Sequence, residues 1–138
     1  MMRQIYLATL DLSIHGAYNG GDVPSSADGL QALVDELRPS VTGIKNPPGA
    51  NMLRNFGHLM NQYSAAYYGY MWAEVISADM FATRFEGNCM SPEAGMAYRK
   101  EVLGPGGTGK IMDHLSKFLG GRAPEQRPFL KSRGILKE

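Results

Sequence analysis

Between Phe56 and Tyr70 stand an imidazole, His58, and three phenols at regular spacing, Tyr63, Tyr67 and Tyr70, each able to donate a hydrogen bond at neutral pH. The three tyrosines stand at i, i+4 and i+7, a spacing that predicts three phenols projecting from one helical face. Just upstream, Gly57 supplies a flexible joint and places His58 on a loop near that face. A phenol, with an ordinary pKa of about 10, and an imidazole N–H are both donors in this pH range. Aimed at an oxygen on which negative charge develops, one such donor stabilises a tetrahedral intermediate by roughly 2.7–4 kcal/mol. The same groups would equally hold the carbonyls or the C-terminal carboxylate of a peptide. An aromatic core stripe with satisfied hydroxyls fits the same spacing, and periodicity leaves these readings open.

The other chemical constellations are weaker. Gly104-Pro105-Gly106-Gly107-Thr108-Gly109-Lys110 fits seven positions of the phosphate-binding loop G-x-x-x-x-G-K, but Ile111 stands where that loop needs Ser or Thr for magnesium. A helix rather than a strand is expected in front of it, so it reads as a Gly-rich turn between helices. The three histidines, His15, His58 and His114, are not paired at i+3 or i+4, and no H-E-x-x-H occurs, so no self-contained zinc site is expected and no metal ligand is assigned. His15 ends a helix just before Gly16, where a cation complements the helix dipole. His114 is expected at the surface. Cys89 has no base beside it and is read as an inert thiol.

The elements that must position these residues are helices separated by Gly and Pro. A helix is expected from Gln4 to Ile14. Leu30, Leu33, Val34 and Leu37 form the stripe of a second, capped by Ser25, Ser26 or Asp28 and ended by Pro39. Gly43 to Gly49 is a loop around Pro47-Pro48. The longest helix is expected from about Ser64 to Phe85. Tyr67, Met71, Val75, Ala78 and Ala82 share one of its faces, and Tyr68, Trp72, Ile76 and Phe81 occupy the others, so it needs several neighbours to cover it. Ser91-Pro92-Glu93 reads as the start of a helix reaching Leu103. Ile111, Leu115, Phe118 and Leu119 mark another, capped by Thr108 and stopped by Gly120-Gly121. A last short helix spans Pro124 to Ser132, with Gly134 as its stop. No stretch alternates with period two, and the fold class is all-α.

With 14 basic and 13 acidic residues the net charge is +1, which removes the electrostatic case for nucleic acid or an anionic membrane. The single cysteine excludes an intramolecular disulfide and favours a reducing compartment. No apolar run approaches the roughly 20 residues that span a bilayer, and Asp11 interrupts the first apolar stretch early, which argues against a signal peptide. The expected compartment is the cytoplasm, with an organelle such as the mitochondrion as the alternative.

At the tyrosine segment the chain resembles the C-terminal part of the thimet oligopeptidase, neurolysin and oligopeptidase A family of zinc metallopeptidases. The carrying residues are Phe56-Gly57-His58, Tyr63 and Ala66-Tyr67-Tyr68-Gly69-Tyr70, followed by Trp72, Glu74-Val75, Asp79-Met80-Phe81 and Thr83-Arg84-Phe85. Gly95-Met96, Tyr98-Arg99, Leu103 to Gly107, Phe118 to Arg122 and Phe129 to Gly134 continue the run. The resemblance is strong over residues 55–134 and loose over residues 1–50, with 1–138 read as one C-terminal segment of a catalytic domain.

This resemblance implies an all-helical, two-lobed peptidase whose deep channel admits short peptides. It implies zinc as cofactor, held by an H-E-x-x-H helix and a later glutamate that lie outside this chain. Tyr70 and Tyr63 would donate to the oxyanion of the scissile carbonyl, and His58 would help place the substrate backbone. Tyr67 would face substrate or pack, and Gly106-Gly107 would form a loop near the cleft. Where many members carry two glycines this chain has Asn61 and Gln62, which bears on substrate range. The isolated chain is therefore expected to need a zinc-bearing half, on further sequence or on a partner chain, before it is an enzyme. The alternative is a stand-alone, inactive helical protein that binds peptides or partners through its tyrosine face.

Overall fold

Ser26 holds an extended backbone and its hydroxyl accepts from Gly29 N–H at 3.1 Å, so the chain can turn into a helix there with an orphan donor satisfied. That helix is α2, Ala27–Thr42, and it follows α1, Met2–Ile14. The computed structural model describes residues 1–16, 20 and 23–137. Beyond α2 come 3₁₀ turns at Leu53–Asn55 and Gly57–Met60, then α3 (Gly69–Arg84) and α4 (Pro92–Tyr98). A π-turn at Arg99–Leu103 extends α4, and α5 (Ile111–Phe118) and α6 (Arg127–Ser132) complete the order. Among the described residues there is no strand, and the fold is all-α.

The chain divides into two compact units, Met1–Met71 and Trp72–Glu138. In the first, α1 packs on α2. Tyr6, Leu7, Ala8 and Leu10 of α1 and Val34 of α2 are buried together with Phe56 and Tyr67, and Leu33, Leu37, Met52 and Leu59 flank them. The fully buried leucine, valine and phenylalanine side chains each contribute about 1.5–3 kcal/mol by leaving water. In the second, Phe118, Leu115 and Leu119 are buried, as are Ala94 and Phe129. Phe118 lies edge-on to Tyr98 at 5.9 Å, and Arg84 stands 5.7 Å over its ring while donating to its carbonyl at 2.8 Å.

Several boundaries differ from expectation. Proline 39 does not end α2. It forfeits the bond its missing N–H would make to the Asp35 carbonyl, yet the helix runs on to Thr42, whose Oγ1 donates to the Arg38 carbonyl at 2.7 Å. Gly43, left-handed at φ 72°, is the actual stop. Helix α3 begins at Gly69 rather than Ser64, because residues 64–68 form turns. Thr108 does not cap α5; its hydroxyl donates to the Pro105 carbonyl at 2.6 Å, and Lys110 occupies the cap position. Ile111 is exposed, so the α5 stripe begins at Leu115. Helix α6 starts at Arg127 rather than Pro124.

The Ser91 cap holds, accepting from Ala94 N–H at 3.2 Å, as do the glycine stops Gly120, Gly121 and Gly134, all at positive φ. The neighbours expected to cover α3 are missing from much of its surface: Trp72 is 53% exposed and Phe81 50%, and Asp79 is its buried residue.

Candidate functional site

The tyrosine segment does not form one helical face. Tyr63 and Tyr67 sit in the turns, and only Tyr70 lies on α3. The rings converge all the same. His58, in the 3₁₀ turn after Gly57, has its ring centroid 5.4 Å from Tyr63, 5.1 Å from Tyr67 and 5.9 Å from Tyr70, each in edge contact. Tyr63 stacks on Tyr70 at 5.4 Å with 21° between planes. Tyr67 meets Tyr70 at 5.0 Å and Phe56 at 5.2 Å, so Phe56 and Tyr67 form the floor of a five-ring cluster. Edge-to-face pairs of this kind are worth about 0.5–1.5 kcal/mol beyond their burial.

The four chemical side chains divide by exposure. Tyr67 is buried, and its hydroxyl donates to Gln4 Oε1 of α1 at 2.9 Å. That arrangement describes packing rather than a free donor. Tyr63 and Tyr70 are 42% and 41% exposed, with His58 half-buried beside them. Among the described residues, neither ring nitrogen of His58 has a hydrogen-bond partner. The Tyr70 phenol is pushed above the ordinary tyrosine value, chiefly by polar interaction with the Tyr63 hydroxyl, then by desolvation, then by the neighbouring Tyr63 and Tyr67 phenols. At neutral pH it therefore keeps the proton it would donate.

What holds the turn under these rings is a residue the sequence reading passed over. Asp11, near the end of α1, is fully buried. Its Oδ1 accepts from Ala65 N–H at 2.9 Å and its Oδ2 from Tyr67 N–H at 2.9 Å. Between Tyr63 and Tyr67 the backbone passes through Ala65 at φ 56°, a left-handed conformation that a residue with a Cβ adopts at a cost. The one signal in the sequence is an acidic residue inside the apolar stretch of α1, four residues ahead of a histidine. His15 is indeed the cap of α1, with Nδ1 2.8 Å from the Asp11 carbonyl and 3.0 Å from Asp11 Oδ1.

Gly106 and Gly107 lie in the second unit. Gly106, at φ 56°, closes a turn by donating from its N–H to the Leu103 carbonyl at 3.2 Å. The π-turn Arg99–Leu103 precedes this loop, so it lacks the strand of a phosphate-binding loop. His114 is partly exposed, its Nε2 2.9 Å from the Thr108 carbonyl. Cys89 is exposed. Among the described residues no three His, Cys, Asp or Glu side chains come together as metal ligands, and no helix is long and apolar enough to cross a membrane.

Residues 1–135 match peptidase family M3. Saccharolysin of Saccharomyces cerevisiae is 35% identical over 97% of this chain and 18% of its own length. The thimet-like oligopeptidase of Dictyostelium discoideum is 34% identical over 97% of the chain and 19% of its own. A probable cytosolic oligopeptidase A of Arabidopsis thaliana is 32% identical over 98% of the chain and 19% of its own. The chain thus spans about a fifth of the length of the curated relatives it matches.

Proposed function

The chain belongs to peptidase family M3, and from that premise we propose that it is the C-terminal part of a zinc oligopeptidase, supplying the donors that bind a short peptide and its developing oxyanion. The observation that carries the reading is the convergence of Tyr63, Tyr70 and His58 on one exposed patch, with Tyr70 held in its protonated form. The two phenols stack with ring centroids 5.4 Å apart and the Tyr63 side chain reaches the Tyr70 hydroxyl, so both hydroxyls can serve one carbonyl oxygen. As charge moves onto that oxygen, each O–H···O contact becomes charge-assisted and strengthens, which is stabilisation specific to the transition state. His58, whose ring nitrogens have no hydrogen-bond partner among the described residues, orients the substrate backbone beside them. Tyr67, its hydroxyl engaged by Gln4, aligns the cluster from below. Gly106 and Gly107 are assigned to a substrate-lining loop.

Zinc is the cofactor of the family. Among the described residues no set of ligands assembles that fits it. The ligands would come from other polypeptide, on the same protein or on a partner chain, and the 138-residue chain alone is not assigned peptidase activity. A cytoplasmic setting is the compartment we assign. The competing reading, a stand-alone inactive binder, sits poorly with the exposed aromatic faces of α3, which leave Trp72 and Phe81 half in water.

The test is Tyr70→Phe and His58→Ala in a full-length enzyme carrying this segment. Removing one oxyanion donor should lower kcat by on the order of 10²–10³, with zinc content by atomic absorption unchanged. Loss of zinc in Tyr70→Phe would sink the assignment, because a residue that only touches substrate has no hold on the metal.

A further inference from the structure

We infer that Asp11 is the positioning residue of the tyrosine cluster: its buried carboxylate clamps the turn that sets Tyr63 against Tyr70. The inference rests on the reading of that cluster as the peptide-binding donor set, and adds the part that builds it.

Four observations bear on it. First, Asp11 has no exposure and reaches across 54 and 56 residues of sequence to two backbone N–H groups, one on each oxygen, both at 2.9 Å. Second, the two N–H groups belong to Ala65 and Tyr67, so the carboxylate holds the 64–65 and 66–67 peptide planes and brackets the turn between them. Third, Ala65 sits at φ 56°. Alanine has neither the freedom of glycine nor the side-chain bonds by which asparagine tolerates that region, so an outside hold is needed to keep it there. Fourth, the turn so held separates the two stacked phenols. Tyr63 lies two residues before Ala65 and Tyr70 three after Tyr67, and a φ change at 65 would swing Tyr63 off the Tyr70 ring. His15 completes the clamp from the other side. With Nδ1 protonated, its ring donates toward the Asp11 main-chain carbonyl and Oδ1, which keeps the carboxylate facing the turn. The bonds to the turn are charge-assisted, the stronger kind, and main-chain donors cannot be lost by changing the side chains of the loop.

The role is one of geometry and not of contact with substrate, so the experiment reads geometry. In the 138-residue chain, the Ala65 and Tyr67 amides should exchange with solvent on the order of 10–100-fold more slowly than free peptide, although they lie in a turn. Exchange at the free-peptide rate would overturn the inference without any variant having to fold. Asp11→Asn keeps the shape but offers one acceptor and an N–H₂ group to two donors. It should abolish the ring-current shifts that stacking imposes on the Tyr63 and Tyr70 ring protons. Adding Ala65→Gly removes the penalty of the left-handed turn and should restore those shifts in the Asp11→Asn background. A general loss of stability would not be mended by one glycine in the turn. Shifts unchanged in Asp11→Asn, or unrestored in the double variant, would count against the clamp.

The same variants in a full-length enzyme separate this inference from the proposed function. If Asp11→Asn unstacks the rings, lowers kcat with little change in KM and is rescued by Ala65→Gly, both stand. If the rings unstack and turnover is untouched, the clamp stands and the role of the tyrosines falls.

Discussion

Each of the two units is built around one fully buried carboxylate, and the two are neutralised differently. In the second unit Asp79 receives a two-pronged guanidinium: Arg122 Nη1 and Nη2 each donate at 2.7 Å, joined by Glu125 N–H at 2.8 Å and the Thr83 hydroxyl at 3.4 Å. Arg122 also donates to Thr83 Oγ1 at 2.9 Å, so α3 and the segment leading into α6 are tied by a charge pair. In the first unit Asp11 meets main-chain N–H groups and one histidine ring. A guanidinium fixes side chains to each other, whereas main-chain donors fix the path of the backbone. The first arrangement braces helices. The second shapes a turn on which aromatic side chains are displayed.

The contrast can be broken most forcibly at Arg122. Replacing it with alanine strands a buried charge, which costs about 3–5 kcal/mol for a fully buried pair; with Arg122 36% exposed, the low end is expected. Urea unfolding followed by far-ultraviolet circular dichroism should show the loss, and Arg122→Lys should recover part of it, one ammonium being unable to serve both oxygens. Asp11→Asn comes next, at about 2 kcal/mol, since bonds to a charged acceptor are each worth about 1.5–3 kcal/mol and an amide oxygen retains one in weaker form. Third is Gln4→Met, which keeps the volume but orphans the buried Tyr67 hydroxyl; about 1–2 kcal/mol is expected, by the same denaturation assay.

Titration sharpens the comparison from both ends of the pH scale. The Asp79 carboxyl is held below the usual carboxylate range, first by its hydrogen bond from Arg122, against the opposing effect of desolvation, with help from Glu125 N–H, the Arg122 charge and Thr83. A depressed acid stabilises the fold above its unfolded pKa of about 3.9, and that stability drains away as pH falls through the folded value. Asp79→Asn should flatten this acid limb. The phenols of Tyr6 and Tyr70 are raised, Tyr6 chiefly by burial. Below about pH 10 their contribution is intact; above it the unfolded chain sheds protons first and stability falls. Acid should therefore loosen the Asp79 brace and alkali the packing of Tyr6 and Tyr70, readable by following amide signals beside each group against pH. The smallest effect is Ala65→Gly alone: relief of about 1–2 kcal/mol of left-handed strain opposes about 0.5–1 kcal/mol of added chain entropy, leaving a slight gain in unfolding midpoint.

Local rules were read correctly where the deciding partners were local. Ser26, Ser91, Gly120, Gly121 and Gly134 act within three or four residues of themselves, and each marks the boundary its type predicts. Thr108 misled because a nearby carbonyl takes its hydroxyl, and Pro39 because a helix tolerates one missing N–H near its end. The start of α3 misled for a deeper reason. The spacing of Tyr63, Tyr67 and Tyr70 is helical, yet a carboxylate 54 residues upstream takes the N–H of Ala65 and bends the chain there. The convergence of the rings was thus foreseeable in outcome and not in cause. Asp11 itself was visible only as a charge in an apolar stretch, since nothing in its surroundings names its partners.

The half-exposed aromatic on α3 has a practical side. Trp72 is the single tryptophan of the chain and 53% of it faces water. Its indole emission is therefore a built-in optical probe: red-shifted and open to quenching by iodide in the chain by itself, and turning blue and shielded when another polypeptide seats on that helix. A titration in an ordinary fluorimeter, with no label attached, would report assembly as it happens.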